Sequence, residues 1–348
     1  MDHLASEAVI QGSKPGRIII LPSSFQGSPR VMQQNYQDAM GIVRKCGKPD
    51  LFITFTCNPR WKEIEEQLFP SQTPSDRPDL IARVFKLKLK QLIDDIVRNH
   101  IFERRVAHLF VIEFHKRGLS HCHMLIILAS ESKPRDSNSV ARIVSSEIPD
   151  ADQNPQLYEM VKSHMIHGPC GVPNKNSSCM EDGKCTEEFP KEFRNETAPN
   201  KDGYRRYRRR DNGVIAKVGK YEVDNRLVVP YNPHLLMKYD AHINVEVCAT
   251  VKSIKYLFTY VYKGRRCANI KLELPVKDGT TFAKLWNWMK LKPISTLHMS
   301  VHQKPEAVWR LFEFPLHDKS HSIIRLAIHL PNMKPVYFAE GNELEALD

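Results

Sequence analysis

His108-Leu109-Phe110-Val111-Ile112-Glu113-Phe114-His115-Lys116-Arg117-Gly118-Leu119-Ser120-His121-Cys122-His123-Met124-Leu125-Ile126-Ile127-Leu128 decides the fold. Two β-branched and aromatic runs, His108 to Phe114 and His121 to Leu128, flank a short basic turn with a glycine, which has the length and composition of a β-hairpin. Side chains alternate faces along a strand, so His121 and His123 share one face and Cys122 takes the other. Glu113, on the partner strand, can bring a carboxylate to the same face. Two imidazoles and a carboxylate suit a divalent ion, with Mg²⁺ or Mn²⁺ in play beside Zn²⁺. The bland alternative is a pair of surface histidines. The apolar run Met124 to Leu128, which would bury the strand, argues against it.

Outward from the hairpin, Leu51-Phe52-Ile53-Thr54-Phe55-Thr56 reads as another strand, closed by Asn58-Pro59. Helical spacing covers Gln33 to Lys45 and Pro78 to His100, the latter with Leu80, Val84, Leu87, Ile93 and Val97 on its inner side. Residues 130–157 read as a polar linker. A further helix is expected from about Val247 to Lys263, another around Phe282 to Lys290, and a β-like run at Ile323 to Leu330. Strands and helices intermix, so the expected class is α+β. The divisions expected are an arm over 1–30, a core over 31–150, a Cys/His-rich and basic insertion over 151–210, a tyrosine-bearing part over 211–270 and an extension over 271–348.

Composition narrows the function. The chain has 348 residues, with 51 Lys and Arg against 40 Asp and Glu, a formal charge of +11 that favours a polyanionic partner. No run approaches the length of a membrane span, and the first residues lack a secretory pattern. Eight cysteines in such a chain suggest a reducing compartment. GxxxxGK[ST] and GxGxxG are absent, so no ATPase motor is visible. Nucleic acid is the expected partner and no membrane is.

Two further stretches carry chemistry. In Val251 to Gly264 an apolar stripe of Val251, Ile254, Leu257, Phe258 and Val261 leaves Tyr256 and Tyr260 one helical turn apart, with Lys252 and Lys263 beside them. A phenol with a pKa near 10 is a poor nucleophile unless an ion polarises the phosphodiester it attacks. With the hairpin's ion, the pair predicts strand cleavage by transesterification. Tyr204-Arg205-Arg206-Tyr207-Arg208-Arg209-Arg210 interleaves rings with five arginines, the composition of a single-strand binding track, against the alternative of a solvated basic turn. Between these stretches and the hairpin, His167, Cys170, Cys179 and Cys185 form a loose ligand set for a structural zinc; the alternative is a loop of reduced thiols.

Taken together, these residues resemble the Rep endonuclease region of Helitron rolling-circle transposons, the Helitron helicase-like domain, within the HUH endonuclease superfamily. The resemblance rests on Gln33-Gln34-Asn35-Tyr36-Gln37-Asp38-Ala39-Met40, Lys48-Pro49-Asp50-Leu51-Phe52-Ile53-Thr54-Phe55-Thr56-Cys57-Asn58-Pro59, the His121/His123 hairpin, His164-Met165-Ile166-His167-Gly168-Pro169-Cys170, Tyr207 to Arg210, Tyr256 with Tyr260, and Trp309 to His317. It implies a central antiparallel sheet flanked by helices, with a Cys/His-rich insertion. It also implies that His121 and His123 are paired metal ligands, with Glu113 chosen as the third, and that Tyr256 and Tyr260 are the nucleophiles of a two-tyrosine enzyme. Single-stranded DNA, a nuclear location, Mg²⁺ or Mn²⁺ for cleavage, and a helicase supplied by another chain follow as expectations. A catalytically inactive, transposon-derived nucleic-acid-binding protein is the alternative. Cys122 departs from the bulky apolar residue or alanine commoner between such histidines, and Leu272 to Lys304 departs from the usual continuation.

Overall fold

In the computed structural model the described residues are 29–114, 119–171, 174–199, 205–248 and 304–324. Five antiparallel strands form the central sheet: β1 (Leu51–Thr56), β2 (Arg105–Phe114), β3 (Ser120–Leu128), β4 (Ile243–Val247) and β5 (His317–Lys319). Their order is β4-β1-β3-β2-β5, so the His-x-His strand is the middle one. The β2–β3 hairpin pairs Glu113 with His121 and Val111 with His123. The class is α+β, as the sequence implied.

β3 is buried along its whole length, because both faces of the sheet are covered. On one face Leu51, Ile53, Phe55, Phe110, Ile112, Cys122, Met124 and Ile126 join a large core, which includes residues of helix α2 (Pro78–Val97). On the other, Phe52, Leu109, Leu125 and Ile127 pack against Ala39, Ile42 and Val43 of helix α1 (Pro29–Cys46). Alternation therefore divides the second face. Its lower half is apolar under α1, and its upper half carries Glu113, His121 and His123.

Helix α2 opens with Pro78 at its first position, where the missing N–H costs nothing. Its buried stripe is Ile81, Val84, Phe85, Leu89, Leu92 and Ile96; of the residues expected on the inner side, Val84 is buried, Leu80 and Ile93 pack against the core, and Leu87 is a correction, at 62% exposed. Apolar residues ring this helix, so spacing alone allows two adjacent stripes, and packing on β1 and β3 chooses between them. Near the end of α2, the buried Asp95 accepts hydrogen bonds from Lys238 Nζ (2.7 Å) and Tyr239 Oη (2.6 Å), residues of helix α5 (Pro233–Tyr239).

The expected polar linker holds two helices, α3 (Ser137–Ile143) and α4 (Pro155–His164). Asp136 caps α3 through Ser139 N (2.7 Å). Val247 closes strand β4, where the sequence reading began a helix. The expected helices from residue 249 onward lie outside the described residues up to 303. Of the β-like run, Ile323 and Ile324 are described and are not in a strand. Helix α6 (Lys304–Leu311) and β5 complete the description, with Trp309 fully buried against Phe85 and Phe114.

Candidate metal and nucleic-acid sites

The sheet aligns its polar residues in rows. Across the upper row, Thr56 of β1 lies beside His121, which lies beside Glu113. One row below run Asn244, Thr54, His123, Val111 and His317, one from each strand. His121 and His123 are only 6% and 3% exposed, with ring centroids 4.5 Å apart. His123 Nε2 donates to Glu113 Oε2 at 3.1 Å. That separation is an ordinary hydrogen-bond length. A ligating histidine takes its second ring nitrogen to a hydrogen-bond partner. Thr56 Oγ1, 2.6 Å from His121 Nδ1, supplies one. Phe52 stacks on the His123 ring at 5.8 Å and 17°. Tyr256, Tyr260, Lys252 and Lys263 lie outside the described residues.

Thr54, Thr56 and Asn244 were not foreseen at this face. Asn244 donates to Glu246 Oε1 (2.9 Å), while its own Oδ1 is buried without a hydrogen-bond partner. Burial pushes the Glu246 carboxyl above the usual carboxylate range.

His167, Cys170, Cys179 and Cys185 bring their ligating atoms within 4.8 Å of one another. Glu181-Asp182-Gly183-Lys184 builds the turn that does this. Asp182 and Gly183 have φ of 48° and 77°, the two left-handed residues of a tight hairpin, and the ribbon pairs Met180 with Cys185. Thr186 N donates to Cys179 O at 2.8 Å and closes the loop. Cys185 Sγ stands 3.5 Å from His167 Nε2, the separation of a sulfur and a nitrogen on a tetrahedral zinc with bonds of about 2.3 and 2.1 Å. The cluster can therefore hold a metal such as zinc. Burial lowers the His167 pKa. Cys170 is pushed up to about 12 by burial and by its two thiol neighbours. At Cys179 burial acts against ionisation, but hydrogen bonds with Ser177, Cys185 and Cys170 outweigh it and lower its pKa. The module is tied to the core by His167 N donating to Leu227 O (2.8 Å) and Val229 N to Met165 O (2.7 Å).

The basic tract divides by alternation. Arg205, Tyr207 and Arg209 face inward; Arg206, Arg208 and Arg210 face out. Arg209 is 4% exposed and donates from Nη1 to the carbonyls of Asn225 (2.6 Å), Val228 (2.6 Å) and Ser146 (3.4 Å). Tyr207 Oη accepts from Val247 N at 2.7 Å. These contacts correct the expectation that Tyr207 and Arg209 present themselves to a nucleic acid: both side chains are spent inside the fold. Arg205 reaches the Pro134 carbonyl, and Tyr204 lies outside the described residues. Glu147 gathers Arg210 (2.7 Å) and Arg208 (3.1 Å), and those ion pairs hold its pKa down against the opposing effect of burial.

Residues 2–126 match the family described as the Helitron helicase-like domain at the N-terminus. That segment is similar to a Helitron helicase-like domain. It contains α1, β1, α2, β2 and nearly all of β3, so Glu113, His121 and His123 all fall within it. The His/Cys cluster, the basic tract and both tyrosines follow the Helitron helicase-like segment. No curated protein matches the chain. No described helix is long and apolar enough to cross a membrane.

Proposed function

We propose that this chain is a metal-dependent tyrosine endonuclease and strand transferase acting on single-stranded DNA in Helitron-type rolling-circle transposition, working in the nucleus. One observation carries the reading: in a Helitron helicase-like segment, two buried histidines and a carboxylate converge on one face of the middle strand, with Glu113 and His123 3.1 Å apart. Glu113, His121 and His123 would hold Mg²⁺ or Mn²⁺. Such an ion, when bound, withdraws charge from a phosphodiester oxygen.

Tyr256 or Tyr260 then supplies the nucleophile. The phenol oxygen bonds to phosphorus and the P–O3′ bond breaks. The 5′-phosphate stays on the tyrosine, and the released 3′-oxygen leaves as a hydroxyl carrying the proton the phenol gave up. Attack by a 3′-hydroxyl on the phosphotyrosine reverses the exchange and transfers the strand. Because each step exchanges one phosphodiester for another, no nucleotide hydrolysis is needed, consistent with the absence of a phosphate-cradling loop in the sequence. A separate helicase chain would open the duplex. His167, Cys170, Cys179 and Cys185 would hold a structural zinc.

The test is incubation of the full chain with end-labelled single-stranded DNA and Mg²⁺ or Mn²⁺, followed by a denaturing gel. A covalent protein–DNA band that needs the divalent ion and disappears in the Tyr256→Phe/Tyr260→Phe variant supports the enzyme. DNA binding without a covalent band under either ion leaves an inactive nucleic-acid-binding derivative.

A further inference from the structure

The strand that buries Arg209 sends every second residue outward. Arg206, Arg208 and Arg210 are 51%, 43% and 49% exposed. Successive outward positions on an extended chain lie about 6.7 Å apart; the Arg208 and Arg210 guanidinium groups converge on Glu147 Oε2, and Arg206 reaches Glu192. Residues 194–198 run antiparallel beside this strand: Arg194 exchanges both backbone hydrogen bonds with Arg209 (2.7 and 2.8 Å), and Ala198 pairs with Arg206. The ribbon begins at Phe193, 36% exposed, whose ring carries the Arg226 guanidinium 4.8 Å from its centroid. Asp224 holds Arg226 in place by three contacts, Nη2–Oδ2 at 2.7 Å, Nε–Oδ1 at 3.1 Å and Nε–Oδ2 at 3.1 Å. Glu192 sits between Arg206 (3.3 Å) and Arg194 (3.7 Å), next to Phe193 in the chain.

The geometry points to a second nucleic-acid contact on this ribbon, away from the histidine face: Arg206, Arg208 and Arg210 track the phosphates of a single strand while a base stacks on Phe193 and Arg226. The inference rests on the proposal that the chain acts on single-stranded DNA, and adds residues that the sequence reading did not include. Phe193 keeps about a third of its surface open to solvent beside the Arg226 guanidinium, which leaves part of the ring free for a partner. Bases stack on such rings, and on guanidinium planes, without regard to sequence. Five guanidinium groups (Arg194, Arg206, Arg208, Arg210 and Arg226) stand among Glu147, Glu192, Asp224, the exposed Glu196 of the neighbouring strand and Asp211, so the ribbon is mixed in charge, with half-exposed arginines on its outer side. Duplex DNA keeps its bases stacked and offers none to Phe193, so the partner is a single strand.

The experiment is fluorescence anisotropy of a labelled polythymidine 20-mer against the full chain over a salt series, with a duplex of equal length alongside. Phe193→Ala weakens single-strand binding about tenfold and Phe193→Tyr restores it. Arg206→Ala, which removes only an exposed ion pair, lowers the slope of log K against log salt by about 0.7. Phe193→Trp adds a readout independent of folding losses: the introduced indole is quenched by the single strand and not by the duplex. Equal binding by wild type and Phe193→Ala, an unchanged salt slope in Arg206→Ala, or equal quenching by duplex overturns the inference. These outcomes are separate from the nuclease test. A covalent adduct with no effect at Phe193 and Arg206 removes the ribbon and keeps the enzyme; ribbon effects without an adduct do the reverse.

Discussion

Glu113 and His123 lie on adjacent strands, two residues out of direct register, and still meet through Oε2 and Nε2 at 3.1 Å. The directly opposite partner of Glu113 is His121, so Glu113 reaches His123 along a diagonal of the sheet. Cleavage should depend on this arrangement. Glu113→Ala and His123→Ala are expected to lower ion-dependent cleavage at least a hundredfold and to leave DNA binding within a few fold. Thr56→Val, which removes the partner of His121, should weaken Mn²⁺ affinity by about tenfold. Calorimetric Mn²⁺ titration beside single-turnover cleavage checks both, and wild-type Mn²⁺ affinity in Thr56→Val would remove Thr56 from the site.

The His/Cys module is expected to carry one zinc per chain. Metal analysis of protein purified without chelator should find it, and Cys185→Ser should lose it. Chelation should lower the melting temperature, because the residues around Cys179 are polar and have little else to bury. Zinc content unchanged in Cys185→Ser would point to different ligands.

Two arginines one turn of strand apart should behave oppositely. Arg209→Met strips the donor from three interior carbonyls and is expected to cost about 3 kcal/mol in denaturant unfolding. Arg206→Ala, half exposed, should stay within about 0.5 kcal/mol of wild type. A reversed order would contradict the inward and outward assignment of the tract.

His108 gives the fold a pH dependence. Burial, reinforced by Arg105, depresses its pKa from 6.5 to about 4. The native ring stays neutral where the unfolded ring takes a proton, so stability from this group is present above about pH 6.5 and is lost as pH falls to about 4, in all about 3 kcal/mol. Thermal melts of His108→Phe and wild type across that window should converge at low pH relative to pH 7, and parallel curves would assign the slope to other groups.

The hairpin was legible because strand alternation by itself places His121 and His123 together. The same rule, applied to Ile243-Asn244-Val245-Glu246-Val247, gives β4, yet the helical pattern that begins a few residues later drew Val247 into the wrong element. Residues 130–157 read as linker because α3 and α4 are short, and only Asp136 and Pro155 mark their starts. The zinc ligands could be listed from sequence, but their closeness depends on the Asp182-Gly183 turn. In the basic tract, composition suggested one uniform surface. Period-two alternation splits it, and nothing in Tyr-Arg-Arg-Tyr-Arg-Arg-Arg says which half faces in until Asn225, Val228 and Ser146 supply the carbonyls. Phe193 escaped notice because a single phenylalanine in a polar stretch carries no pattern.

The central claim, a tyrosine that takes DNA covalently under the control of the histidine face, is tested most directly by mass spectrometry of the cleavage product. Trypsin releases Tyr256-Leu257-Phe258-Thr259-Tyr260-Val261-Tyr262-Lys263 as one peptide. After reaction with single-stranded DNA and Mn²⁺, then nuclease trimming, this peptide should carry a phosphonucleotide on Tyr256 or Tyr260, and should carry none in His123→Ala. A nucleotide on any other residue, or an unmodified peptide from protein that demonstrably bound the DNA, would contradict the account.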